Sequence, residues 1–142
     1  MPAEAYDFAV NAGAVEVITV PARQHAGFYP YLGFSLVFPT RKMTLIPGLS
    51  VEAAPESGRW GFVWSLVADF AVHDRVGLDV DVVLIHDQPG ADVGAAEFLL
   101  GAGVGFSVFW GKWTISPYVN VFRDLSVDGW ALVPGLNFAA TK

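Results

Sequence analysis

Residues 59–86 read RWGFVWSLVADFAVHDRVGLDVDVVLIH, and the reading of this stretch decides the fold. One set of alternate positions holds Trp60, Phe62, Trp64, Leu66, Ala68, Phe70 and Val72, then Val76, Leu78, Val80, Val82 and Leu84. The other holds Gly61, Val63, Ser65, Val67, Asp69 and Ala71, then Gly77, Asp79, Asp81, Val83 and Ile85. A strand sends successive side chains to opposite faces, so a period of two kept this long marks two strands between different environments. The segment His73–Arg75 is the turn between them.

The same period runs outward in both directions. Residues 27–38 set Phe28, Pro30, Leu32, Phe34, Leu36 and Phe38 against Tyr29, Tyr31, Gly33, Ser35 and Val37. After PTRK, residues 43–54 alternate from Met43 to Ala54, and 97–110 alternate from Phe98 to Trp110. Gly111-Lys112 is a two-residue hairpin signal before 113–123, and 129–140 closes the chain. At the N-terminus, residues 5–20 form one long strand, or residues 1–13 are a tail before a short strand at 14–20. The expected fold is all-β: a closed up-and-down antiparallel barrel of about eight strands in a single domain over 1–142. Closure removes the edge strands that such apolar segments could not safely expose.

Composition narrows the function classes. The chain has 142 residues, 54% of them apolar and only 15% charged, against roughly 25% charged in an average globular chain. No run of about 18 apolar residues occurs, so a transmembrane helix is not expected. A net charge of −6, with no basic stripe, argues against nucleic acid as a partner. The absence of cysteine removes thiolate chemistry and fits an envelope or a cytosolic protein equally. MPAEAYDF lacks the basic and apolar regions of a signal peptide, so export implies a leader already removed.

Four observations indicate which face points outward. All eight Lys and Arg residues fall in turns, at strand ends or at the terminus, none mid-strand. The Gly/Ser/Ala-rich face suits the crowded inside of a narrow barrel. Trp60 and Trp130 fall toward one rim of the large face, and Trp110 and Trp113 toward the other, as membrane-interface girdles around an aliphatic band would. Short connections (PTRK, HDR, GK) alternate with longer ones, the asymmetry of outer-membrane barrels.

The pattern resembles the small eight-stranded outer-membrane barrels, the group of the OmpA membrane domain and the OmpX and PagP types. Gly135 and Phe138 stand where that group carries its terminal Gly and aromatic residue, followed here by Ala139–Lys142. The resemblance implies an outer-membrane location with a lipid bilayer, or detergent, as partner. It also implies a structural or adhesive role, or binding and passage of a small hydrophobic molecule. The alternative inverts the faces. A soluble, cytoplasmic barrel would then bind, cyclise or isomerise a hydrophobic small molecule in an aromatic-lined cavity.

Candidate chemistry lies on the small face. A three-residue turn at 73–75 places Asp69 opposite Asp79, with Asp81 one same-face step away. Three carboxylates that close, with no Lys or Arg in reach, cannot all stay ionised together; they form a candidate cation or proton site unless lumen waters simply solvate them. Tyr29 and Glu52 pair near the long-connection rim with Tyr31 beside them, a candidate ligand mouth or a register-fixing hydrogen bond. Tyr118 opposite Gly105 reads as a ring covering a bare backbone. His25, His73 and His86 are too dispersed for a metal site, no Ser has a His placed to activate it, and no cofactor motif survives inspection.

Overall fold

The computed structural model describes residues 7–20, 27–54, 59–88, 97–125 and 129–141. Eight strands make up nearly all of them: β1 (Asp7–Val20), β2 (Gly27–Pro39), β3 (Thr44–Ala54), β4 (Arg59–His73), β5 (Val76–Gln88), β6 (Glu97–Trp110), β7 (Trp113–Asp124) and β8 (Gly129–Thr141). Each pairs antiparallel with the next, and β1 pairs with β8, so the sheet closes on itself. The backbone takes the long-strand alternative at β1 from Asp7 onward. His25, Arg23, the first six residues and most of the longer connections lie outside the described residues.

The registers define the barrel's geometry. Ala9 faces Ser35, which faces Gly48 and then Ser65. Ser65 leads to Val83, Gly101, Phe122 and Ala131, and Ala131 returns to β1 at Thr19. The circuit therefore re-enters β1 ten residues from where it left, at Thr19 rather than Ala9. With eight strands at ordinary rise and spacing, that stagger gives a tilt of about 40° and a radius of roughly 8 Å. Such an interior is just wide enough for side chains to fill.

The described turns sit at one end. Gly111-Lys112 joins the directly paired Trp110 and Trp113, and Gly111 has φ 62°, the left-handed conformation this hairpin needs. Asp74-Arg75 joins β4 to β5, with a bulge between Ala71 and His73 that leaves Asp69 opposite Asp79 as expected.

The β2–β3 turn departs from expectation. Pro39 pairs with Thr44, so the turn is Thr40–Met43 and β3 starts one residue later than the alternation indicated. Thr40 explains the shift: its Oγ1 donates to the Met43 carbonyl at 2.6 Å and accepts from Met43 N at 3.2 Å. Consequently the register sets Glu52 opposite Tyr31 rather than opposite Tyr29 as expected. The slip spans two residues, so every side chain keeps its face.

Those faces are unambiguous. Leu32, Trp64, Leu66, Val82, Val104 and Phe106 lie on the exposed outer wall, whereas Asn11, Ser35, Asp69, Asp79, Ser107 and Asn120 are buried inside. All five tryptophans point outward: Trp60, Trp64, Trp110, Trp113 and Trp130 are each exposed. The inverted alternative required these rings in a cavity, and the fold does not place them there. No tryptophan lines the lumen cavity among the described residues.

The Gly111 turn supplies a direct check. Asn tolerates the left-handed conformation and Val does not, so Gly111→Asn should unfold near the parent's denaturant midpoint, while Gly111→Val should lose about 1–3 kcal/mol. Urea titration of the refolded barrel measures both.

Candidate functional site

The lumen divides into two halves along its axis. Toward the long-connection end, Tyr29, Ile85, Leu99, Phe122 and Val133 pack into one buried apolar cluster. Toward the short-turn end Asn11, Ser35, Asp69, Asp79, Ser107 and Ser116 point inward among Val37, Ile46 and Val67, so the wall there is mixed. A cavity of about 300 Å³ runs along the lumen past both groups of residues. Its walls reach Thr44, Thr114 and Thr141 beside the turns, while Ile85 and Phe122 from the apolar plug form its other limit.

Three hydrogen-bonded groups line the lumen. Asn11 Nδ2 donates to Ser35 Oγ. Tyr31 Oη donates to Asn137 Oδ1 at 3.0 Å and lies 3.3 Å from the donating Tyr118 Oη. Because Tyr31 is on β2 and Tyr118 on β7, this chain bridges the barrel's interior. The third group holds the acids. Ser107 Oγ donates to Asp79 Oδ2 at 2.5 Å and lies 2.9 Å from Ser116 Oγ; Asn120 Nδ2 donates to Asp81 Oδ2 at 3.1 Å.

The structure therefore brings Asp69, Asp79 and Asp81 to one stretch of the lumen wall, all three lining the cavity. Asp69 and Asp79 are 5% and 8% exposed. Asp69 Oδ2, Asp79 Oδ1, Asp81 Oδ1 and Asn120 Oδ1 are buried without a hydrogen-bond partner among the described residues. Among the described residues, no three His, Cys, Asp or Glu side chains converge closely enough to ligate a metal ion. These four acceptors are packed within the lumen wall, Asn120 Oδ1 against Gly103 and Asp69 Oδ2 against Gly77.

Tyr29, Tyr31 and Glu52 are also brought near one another, though Tyr29 and Glu52 are buried and Tyr29 belongs to the apolar plug. The Tyr118 ring covers a glycine, but chiefly Gly135 on β8: a Cβ on Gly135 would sit 2.6 Å from Tyr118 Oη, whereas Gly105 meets only the base of the side chain. Sequence reasoning missed Ser107, Ser116 and Asn120. The Gly111-Lys112 turn contained the signal, since its register puts Asn120 opposite Gly103, whose own partner on β5 is Asp81.

On the outer wall, Trp60 and Trp130 lie at one rim and Trp110 and Trp113 at the other, with Trp64 on the wall between. Trp110 and Trp113 flank the short turn, with Lys112 Nζ 5.7 Å from the Trp113 ring centroid. At the other rim Arg123 lies 5.6 Å from the Trp130 ring, and His86 stacks on Phe98 with centroids 4.4 Å apart. Strand rise and tilt separate the two rims by roughly 25 Å.

No protein-family model matches this chain, and no curated protein matches it in sequence. Solved structures do match. A barrel from the de novo design of transmembrane β-barrels superposes with a TM-score of 0.60 at 10% identity, over 96% of this chain and 95% of the other. Neisserial surface protein A gives 0.60 at 10% identity, over 95% and 96%. The N-terminal β-barrel domain of Pseudomonas aeruginosa OprF gives 0.53 at 18% identity, over 92% and 96%. The chain has the fold of the small outer-membrane barrels.

The unpaired acids make a stability prediction. Asp69→Asn introduces an N–H donor opposite Asp79, whose Oδ1 lacks one among the described residues, so the barrel should gain about 1 kcal/mol. Tyr118→Phe should lose about 1 kcal/mol by removing the donor to Tyr31. Equilibrium unfolding of the two variants beside the parent tests both signs.

Proposed function

We propose that this protein is an outer-membrane barrel whose wall lies in lipid and whose filled lumen makes it a structural or adhesive anchor rather than an open pore. The outer wall carries the reading. Between the rims, every described outward side chain is apolar, including exposed Leu32, Leu66, Val82, Val104 and Phe106. Soluble monomers rarely expose a contiguous apolar patch beyond a few hundred Å², and this one encircles the molecule. Its height of roughly 25 Å equals that of the apolar band of outer-membrane barrels. Arg123 and Lys112, each beside a rim tryptophan, are placed where a bilayer has its headgroups.

The lumen supports the anchoring role. The apolar plug and the Tyr31–Tyr118 bridge block it, and an eight-stranded barrel is too narrow for a water-filled channel. On this reading the short turns face the periplasm and the longer connections face outward.

A buried positive charge on the wall distinguishes lipid from water. Val104→Arg, at mid-height, should lower folding stability in phosphatidylcholine vesicles by about 2–4 kcal/mol, while Val72→Arg beside the short turn should cost no more than about 1 kcal/mol. Equal, negligible effects, together with a monodisperse monomer in detergent-free buffer, would rule out the membrane assignment. The parent should instead require detergent and migrate differently in SDS before and after boiling.

A further inference from the structure

We propose that the short-turn end of the barrel is a recognition surface for one class of lipid: phospholipids whose headgroup carries a net negative charge. This rests on the membrane reading above and adds to it a choice of headgroup at one end.

Charge is separated along the barrel axis. The chain as a whole carries −6. Yet the described turns Thr40–Met43, Asp74–Arg75 and Gly111–Lys112 hold four cations, Arg41, Lys42, Arg75 and Lys112, against one acid, Asp74. The opposite end has the opposite sign. Asp87 and Glu97 are ladder partners near the ends of β5 and β6, and Asp124 ends β7. The sequences of the longer connections add Glu56, Asp92 and Asp128, while the Lys and Arg residues of that end are Arg23, Arg59 and Arg123.

The height of the turn cations is fixed as well, because each turn is short and pinned. Arg41 and Lys42 lie between the ladder partners Pro39 and Thr44, in the turn that Thr40 closes. The Arg75 carbonyl accepts from Phe109 N at 2.9 Å, and the Lys112 carbonyl accepts from Thr141 N at 3.0 Å. All four side chains are exposed. Trp110 and Trp113 mark the depth of the membrane interface, and Lys112 stands between them in the chain with its Nζ over the Trp113 ring. The cations therefore lie within one or two residues of the aromatic belt, at the level of the lipid phosphates. They are also spread around the rim, since the three turns fall at alternate strand junctions. A zwitterionic headgroup meets such a ring with its own cation as well as its phosphate; an anionic headgroup brings no opposing cation. Each basic residue close to an anionic surface strengthens binding about five-fold, an attraction that fades over about 10 Å in 0.1 M salt.

The test uses the barrel folded in dodecyl maltoside, a detergent without charge, titrated by calorimetry with dihexanoyl phosphatidylglycerol and dihexanoyl phosphatidylcholine. At about 0.05 M salt the phosphatidylglycerol should bind about ten-fold more tightly, and at about 0.5 M salt the two should differ by less than about two-fold. Replacing all four cations (Arg41→Gln, Lys42→Gln, Arg75→Gln and Lys112→Gln) should abolish the preference, while Arg123→Gln at the other rim should leave it in place. Should the fourfold variant fail to fold, the pair Arg41→Gln and Lys42→Gln, confined to one exposed turn, should still weaken phosphatidylglycerol about three-fold or more. Equal binding of the two lipids overturns the proposal, as does a preference that survives loss of the turn cations or disappears with Arg123→Gln. Inorganic phosphate competing at the same concentration as the lipid also overturns it, because the turns would then be taking any anion. A folded barrel without the preference leaves the membrane reading standing. A stable monomer in detergent-free buffer overturns both.

Discussion

The ladder between β1 and β8 is the interaction on which the rest of the structure depends. It joins Ala9 to Thr141 and Val20 to Trp130, so no strand is left as an edge. In hydrocarbon an unpaired backbone N–H or C=O has no water to turn to, and a closed sheet is the β solution to that constraint. Closure with a ten-residue stagger then sets the tilt and radius together. Everything inside must fit within that radius, and everything outside must tolerate whatever surrounds the wall.

The narrow interior accounts for the pairing of large side chains with glycines. The Tyr31 ring lies over Gly13, Tyr118 over Gly135 and Phe122 over Gly101, while the Asn120 amide lies over Gly103. Each glycine faces its large partner directly across a ladder. A Cβ at any of these glycines would occupy space the ring or amide already fills. The inner face is therefore small on average only because it alternates between very small and large. The same limited space leaves the aspartates with too few donors, since Ser107 and Asn120 can each satisfy only one carboxylate oxygen.

Much of this was legible in the residues. Alternation separated the two faces of the strands after β1, because side-chain direction follows from backbone period alone. The Gly111-Lys112 turn and the hairpin at 73–75 carried enough local chemistry to set their registers, which is why the Trp110–Trp113 and Asp69–Asp79 pairs are where they were expected. The β2–β3 register was not legible. PTRK contains its own turn signal, but the Thr40 side chain closes the turn one residue later, on Met43, and moves Glu52 from Tyr29 to Tyr31.

The amino-acid sequence by itself determined the strands, the two faces of the strands after β1, the rim tryptophans and the proximity of the three aspartates. These depend on a period of two and on turns between neighbours, both local properties of the chain. Only the tertiary structure decided the stagger of the closed barrel, the apolar plug and the bridge across the lumen. Tyr31 meets Tyr118 and Asn137, which lie 87 and 106 residues away, and no local pattern encodes such a meeting. It also decided that the aspartates remain short of donors, because that depends on which side chains the curvature of the whole barrel brings within reach.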